Sequence, residues 1–591
     1  MKNHWKKMLL LAALASGAAG AQQSVTVAGQ KNASPWQKAE SQHFIVYSNT
    51  GNDDVRQLLD NLEKLDYVLR LYTRDYRTAV GPRQKITLYY HDRVGSFIDA
   101  VTDAPQEAVG LYNSCGHGVQ GYAVHLESIP TLRPEQLAKN PLNSSLSYIF
   151  EAYARHFLYR YTDIRMPAAY IDGFAQYFST VRFAGDQLSL GRVPASAARY
   201  IYFLDNSHSY QLQYQDILEP AASTDTGVTA KPAVRLEFLT KSWVLTHYML
   251  SSSDNLARRD RYLNQTHLDV PVGKAYTEAF GQTLSELDTA MWRYRIKGIQ
   301  VTQLEVPTLP SARVDFTSLP DAITDFVLAD AALKSCPDRQ RGAALLKSLS
   351  QRSGGLPNND VAKLTLSRAQ IDWGKPEDAL PYLTEAVRKD KAGADAFYLL
   401  GAAYLRLAGQ RKDADAASHL QAAIGHLQRA RSLAPDSAEA AYALYQALMA
   451  VNDQPDPATL EAAIAAWRNA HEVNSYARAA ALAFSYSGKA QEADNALTLL
   501  AHNALDADMA KWAQGWQARL AKGVSRAEVL AEMRREPDAP VPFKEWTVAG
   551  EDLMKIVEYN AGIESTRKYL ETMRLANPVS ETNQFVMPAK K

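Results

Sequence analysis

Two cysteines in 591 residues are too few for a disulfide framework. Cys115 and Cys336 form one bridge or none, and sequence alone leaves this open, because a bridge needs Cα atoms within about 7 Å. Neither sign of charge is in excess: Lys+Arg and Asp+Glu number 64 each, and the formal net charge is zero. Such a chain has no overall field to steer it to nucleic acid or to an anionic membrane. No run of five like charges supplies a local one, so a nucleic-acid partner is not expected. Past the first residues, no stretch approaches the ~18 consecutive apolar residues of a membrane helix, so no span is expected in the mature chain. There is no G-x-S-x-G elbow, no phosphate-binding loop and no pair of C-x-x-C motifs.

What is present begins with an export pattern. Lys2, Lys6 and Lys7 give a positive start, Met8 to Ala15 a short apolar core, and Ala19-Gly20-Ala21 a small-residue cleavage site. Residues 1–21 therefore read as a signal peptide, with the mature chain starting at Gln22 and a periplasmic or secreted location expected. No cysteine follows the apolar core, which argues against a lipid anchor.

Residues 22–304 mix strands and helices. HFIVYS (43–48), QKITLYYH (84–91) and GYAVHLE (121–127) are short and rich in β-branched and aromatic residues, as strands are. Between the first two, Val55, Leu58, Leu59, Leu62, Leu65 and Val68 fall at helical spacing. Helical patterns recur at 145–161, 169–180, 238–250 and 284–294. Pro307, Pro310 and Pro320 forbid a continuous helix over 305–320, which reads as a linker.

From 321 to 577 the composition turns to Ala, Leu, Gln and Arg. Phe397, Leu400, Gly401 and Tyr404, then Ala423, Leu427, Ala430 and Pro435, fall at the offsets of a two-helix repeat interrupted by about ten extra residues. Gly374, Ala379, Leu383 and Ala386 precede them. Ala463, Trp467 and Ala470 follow, then Gly488, Ala493, Leu497 and Leu500. Small residues where helices cross let backbones approach, and large ones a turn away fill the groove. The pattern resembles tetratricopeptide repeats, whose stacked pairs present a surface for a protein or peptide partner. Residues 578–591 read as a disordered tail.

The stretch that bears on chemistry is SYIFEAYARHFLYRYTDIRMPAAYIDGFAQYFSTVRF, residues 147–183. Together with HFIVYS and KSWVLTHYML (241–250), it resembles the peptidase-MA-like domain of bacterial exported proteins, a gluzincin fold, over roughly 260 residues. The resemblance implies an H-E-x-x-H helix, whose two imidazoles one turn apart bind zinc while the Glu activates a metal-bound water. A carboxylate on the next helix would complete the ligand set. Aligned on Tyr153, His156 and Phe157, this chain places Glu151 and Arg155 at the two ligand positions. Ala152 stands at the base position, Asp172 at the third ligand, and Gln176 where the family has Glu. A guanidinium has no lone pair to offer and an alanine moves no proton. We therefore expect neither catalytic residues nor a zinc cofactor, but an ionic cluster of Glu151, Arg155 and Asp172. His156, a turn away from the ligand face, reads as a packed histidine.

Other groupings are weaker. Cys115, His117 and His125 are zinc- or copper-type donors without a fourth. Gly116 to Gly121 matches G-x-G-x-x-G, but a strand follows it where a dinucleotide site needs a helix. The aromatics from Tyr148 to Phe178 suit either a core or a peptide groove. The expected fold is thus an α+β metallopeptidase-like domain joined to an all-α tetratricopeptide-like solenoid. The expected function is a non-catalytic binding scaffold of the cell envelope. The alternative is a zinc peptidase with a non-standard set, Glu151 and Asp172 with His247 or His125.

Overall fold

The computed structural model describes residues 33–73, 85–91, 108–125, 145–162, 166–194, 197, 200–201, 212–219, 232–268, 270–353, 359–389, 392–410, 414–501, 507–535 and 543–548. The expected signal peptide and tail lie outside the described residues. The described chain is mostly helical, with a small mixed sheet built chiefly from its N-terminal part.

The first strands and helix are β1 (Ala33–Glu40), β2 (Phe44–Ser48), α1 (Asn52–Tyr72), β3 (Ile86–His91), β4 (Ala108–Cys115) and β5 (Gly118–Val124). Next come α2 (Ser145–Tyr161), α3 (Ala168–Ser179), β6 (Arg182–Ala184), β7 (Gln187–Leu190), α4 (Tyr214–Leu218) and α5 (Pro232–Met249). Helices α6 (Ser253–His267), α7 (Val272–Phe280) and α8 (Leu284–Ile296) lead to β8 (Thr302–Glu305) and β9 (Asp315–Pro320).

Seven strands form one sheet in the order β10-β4-β5-β3-β2-β1-β9, where β10 is Phe543–Val548. The inner pairs β2–β3 and β3–β5 are parallel, and the other pairs are antiparallel. Strands β6, β7 and β8 form a second, small sheet. One face of the large sheet packs on α1 and α2, with Phe44 against the ring of Tyr153 at 4.9 Å. On the other face the register aligns Tyr47 with Tyr89 and Tyr89 with Tyr122. Their rings stack across three strands at 5.5 and 5.1 Å.

The segment expected as a linker is woven into both sheets. Strand β8 ends at Glu305, and β9 pairs with β1 at the sheet edge. The prolines exclude a helix there but not an edge strand, whose outer side needs no N–H donors. The chain then enters α9 (Asp321–Lys334) directly. Phe326, Ala331 and Leu333 of α9 belong to the same buried cluster as Tyr89 and Tyr122, and that cluster continues to Leu349 and Ala369. One apolar core therefore crosses the expected boundary.

The array continues with α10 (Arg339–Ser353), α11 (Asp360–Trp373), a 3-10 turn and α12 (Leu380–Ala386), α13 (Ala394–Gln410) and α14 (Ala414–Leu433). It ends with α15 (Ala438–Val451), α16 (Pro457–Asn469), α17 (Asn474–Tyr486), α18 (Ala490–Ala501), α19 (Ala507–Lys522) and α20 (Arg526–Met533). Each helix from α13 to α18 packs on the next, and α20 packs back on α17. At Gly401 on α13 an added Cβ would lie 2.6 Å from Leu427 Cγ and 3.2 Å from the Ala423 carbonyl on α14. This is the close crossing that the spacing implied. The extra residues between these helices largely lengthen α13 and α14, which reach 17 and 20 residues. The region is not helical throughout, because β10 returns to the sheet and pairs with β4.

Cys115, at the end of β4, is bonded to Cys336 just past α9, with Cα atoms 6.3 Å apart and a sequence separation of 221. In the chain-entropy picture, closing so long a loop removes much freedom from the unfolded chain.

Candidate functional site

Helices α2, α3 and α5 meet behind the sheet. At Gly173 on α3, a Cβ would stand 2.3 Å from the Ser242 carbonyl and 2.1 Å from Thr246 Oγ1, both on α5. Only a residue without a side chain lets these backbones come so close. That contact sets the neighbouring Asp172 between two cations. Arg155 on α2 points Nε and Nη2 at Asp172 Oδ1, at 3.1 and 3.0 Å. Its Nη2 also reaches Glu151 Oε1, one turn back, at 3.1 Å. From α5, Arg235 Nη1 lies 2.7 Å from Asp172 Oδ2. Burial pushes the Asp172 carboxyl up, but the charges and hydrogen bonds of Arg235 and Arg155 outweigh it and hold it below the usual carboxylate range.

The expected trio is therefore assembled, with a member the sequence reading missed. Arg235 lies a few residues before the stretch read as a helix, in the first turn of α5. The signal was its place one turn ahead of LTKSW, on a helix that starts earlier than its apolar pattern suggests.

The other site residues fall elsewhere. Ala152 lines a small apolar cavity between α2 and the sheet, with Leu62, Leu88 and Tyr153. The buried His156 pairs through Nδ1 with the Tyr112 hydroxyl at 2.8 Å. Tyr112 in turn donates to Glu472 in the helical array at 2.7 Å. Gln176 is buried on α3. His247 uses both ring nitrogens, Nδ1 on the Tyr294 hydroxyl at 2.7 Å and Nε2 on the Gly191 carbonyl at 3.0 Å. Burial lowers its pKa to about 4, so it is neutral at ordinary pH. His125, just past β5, lies beside Asp54 at 3.8 Å.

Cys115, His117 and His125 do not converge. The first is disulfide-bonded, and His117 sits in the β4–β5 turn, 4.0 Å from Asp372. Among the described residues, no three His, Cys, Asp or Glu side chains are gathered as metal ligands. The aromatics from Tyr148 to Phe178 are core: Phe157, Phe174 and Phe178 are fully buried. As a zinc site the cluster fits poorly. Both Asp172 oxygens accept from guanidinium groups, Arg155 offers no lone pair, and Ala152 offers no base.

A second buried pair lies on α5. Glu237 accepts from Lys241 at 3.1 Å and from the Tyr200 hydroxyl at 3.0 Å, and Lys241 also donates to the Leu212 carbonyl. Lys241 lines a cavity of about 230 Å³ with Tyr214, Asp288, Trp292 and Arg295.

No family model matches the chain, and no curated protein matches it. Among solved structures, a thermophilic TPR protein from Thermus thermophilus is similar at 17% identity, over 33% of this chain and 97% of that one, with a TM-score of 0.28. So slight a likeness adds nothing to what the helix crossings themselves show.

Proposed function

We propose that this is an exported, non-catalytic peptidase-like protein whose helical array, of tetratricopeptide type, holds a protein or peptide partner in the cell envelope. The observation that carries the reading is the pairing of Arg155 with Asp172. Where a gluzincin would place an imidazole and a carboxylate around zinc, this chain places a guanidinium whose charge satisfies that carboxylate. The arrangement is closed on itself: two arginines, two carboxylates and no proton-transfer group at position 152. Binding energy without a reactive centre holds a ligand and does not transform it.

The test is elemental analysis of protein purified from zinc-supplemented medium, with a peptidase assay on the same sample. We expect far less than one zinc per chain and no chelator-sensitive cleavage. About one zinc per chain, removed by chelator together with peptidase activity, overturns the reading. Fractionation with N-terminal sequencing checks the location, and a mature chain beginning at Gln22 in the envelope is the expected result.

A further inference from the structure

The cavity of about 230 Å³ between α4, α5 and α8 carries charges in its wall, and their partners are unevenly supplied. Asp288, Trp292 and Arg295 lie at i, i+4 and i+7 on α8, so one face of that helix lines it. Helix α5 contributes Thr240, Lys241 and Val244, and α4 contributes Tyr214. Trp292 is 45% exposed and marks the mouth, whereas Thr240, Lys241, Val244 and Arg295 are buried.

Lys241 is neutralised from behind. Its ammonium lies 3.1 Å from Glu237, which does not line the cavity, and it also donates to the Leu212 carbonyl. Asp288 has no such counter-charge. It accepts the Tyr214 backbone N–H at 3.2 Å on each oxygen, and the Gln213 amide, turned to donate, reaches it at 3.2 and 3.3 Å. These donors are neutral, and Asp288 takes part in no ion pair among the described residues. A half-buried carboxylate with neutral donors only is a place for a cation. Arg295 brings a buried guanidinium whose five donors let it keep its partners and still donate to a carboxylate. The Thr240 hydroxyl in the same wall is almost wholly buried and makes no hydrogen bond, a capacity that a bound polar group would use.

A simple anion on Arg295 would be repelled by Asp288. A simple amine on Asp288 would face the Arg295 and Lys241 cations. A small molecule carrying both charges meets each of them. The rest of the wall is apolar, with Ile201, Val244 and the rings of Tyr214 and Trp292. The volume lies below the ~300–1,000 Å³ of sites for drug-sized ligands and suits a ligand the size of one residue.

We propose that this cavity binds a free α-amino acid with an apolar side chain. Its ammonium sits on Asp288, its carboxylate on Arg295, and its side chain against Trp292 and Val244. The site is separate from both the Arg155–Asp172 cluster and the helical array, so the proposal does not rest on the partner-binding reading.

The test is isothermal titration of the full-length protein, dialysed free of amino acids, with L-leucine and L-phenylalanine and with the N-acetyl and amide forms of each. We expect at least one of the two amino acids to bind with Kd below about 1 mM. Its N-acetyl form, which lacks the cation, and its amide, which lacks the anion, should each bind at least about tenfold more weakly. Asp288→Asn keeps the shape of the side chain. It should weaken the amino acid at least about tenfold and leave the N-acetyl form unchanged, because that form has already lost its ammonium. Arg295→Gln should weaken the amino acid and spare the amide. No saturable binding of either amino acid at about 10 mM overturns the proposal. Equal binding of the three forms also overturns it, as does a variant that weakens the charged and blocked forms alike, which is what a merely structural role would give. The comparison of the three forms uses wild-type protein, so it decides the matter even where a variant does not fold. The zinc and peptidase measurements above are indifferent to this result, and the two readings fail separately.

Discussion

At Gly173, α3 and α5 meet backbone to side chain and backbone to backbone, and the residue beside it carries a carboxylate clamped by two arginines. At Gly401, α13 and α14 meet less closely, and the nearest atoms belong to the Leu427 side chain. Around the first crossing the buried residues are large: Tyr170, Tyr177 and Trp243 are almost wholly enclosed. Around the second and its successors they are small, with Ala423, Ala462, Ala463 and Ala466 fully buried. The sheet-bearing region gains its packing from particular partners, each of which needs the others. The array gains it from a rule applied repeatedly, small against large. A chain that joins both through one core has a specific half and a tolerant half.

The largest effect that would break this contrast is expected at Asp172. Asp172→Ala leaves Arg155 and Arg235 facing each other without their shared carboxylate, and loss of one partner from a buried ionic group costs about 3–5 kcal/mol. Calorimetry should show a lower transition for the sheet-bearing region. A change within about 0.5 kcal/mol, as at ordinary surface positions, would mean that the cluster is solvated. Gly173→Ala should come next. Its Cβ meets the rigid Ser242 carbonyl, so the helices must separate, at a cost of about 3 kcal/mol. Gly401→Ala should be milder. Leu427 can turn aside, and the helix gains about 1 kcal/mol from replacing glycine, leaving a net change near 1 kcal/mol or less. Equal losses at the two glycines would erase the distinction between the regions.

The same contrast governs what could be read from the residues alone. Helices α1 and α2 follow their apolar spacing closely, and Glu151–Arg155 was visible because an i, i+4 pair is local. Asp172 followed from the resemblance rather than from any pattern. The array's crossings were visible because Gly401, Ala423 and Leu427 repeat a geometric rule. The partners that close the sheet were hidden. Strand β1 pairs with β9 nearly three hundred residues away, and β4 pairs with β10 across the whole array. Strand pairing leaves no mark at fixed sequence distance, and prolines made β9 look like a connection. Arg235 and the hydrogen bond that Tyr476 on α17 donates to the Gly116 carbonyl were hidden for the same reason: each depends on two elements meeting, not on either one's own periodicity.

The smallest effect concerns pH, and it separates the sheet-bearing region from the contact between the β4–β5 hairpin and the array, where a Cβ at Gly118 would stand 2.5 Å from Glu439 Oε1 on α15. Burial raises the Glu439 pKa to about 7, although Arg368 and Lys334 pull it down, while Asp395 and Asp330 push it up further. The folded chain therefore holds a proton there that the unfolded chain has released above its ordinary carboxylate pKa of 4.5. Between about pH 4.5 and pH 7 this group makes stability fall as pH rises, and the loss is complete above the folded value. In the other region, His43 is hydrogen-bonded to the buried Glu63 at 2.6 Å, which raises its pKa against the opposing effect of burial. Its contribution is full below the ordinary histidine value of 6.5 and is lost as pH rises through the higher folded one. His43 is half-exposed, so its share is small. Both groups thus weaken the protein on going from pH 5 to pH 8, in successive windows. Denaturant midpoints measured across that range should flatten at the lower end with Glu439→Gln and at the upper end with His43→Gln. Hydrogen exchange should place the Glu439 change at β4–β5 and α15, and the His43 change at β2 and α1. If Glu439→Gln changed exchange only within α15, the carboxylate would be acting inside the array alone, and the hairpin would owe it nothing.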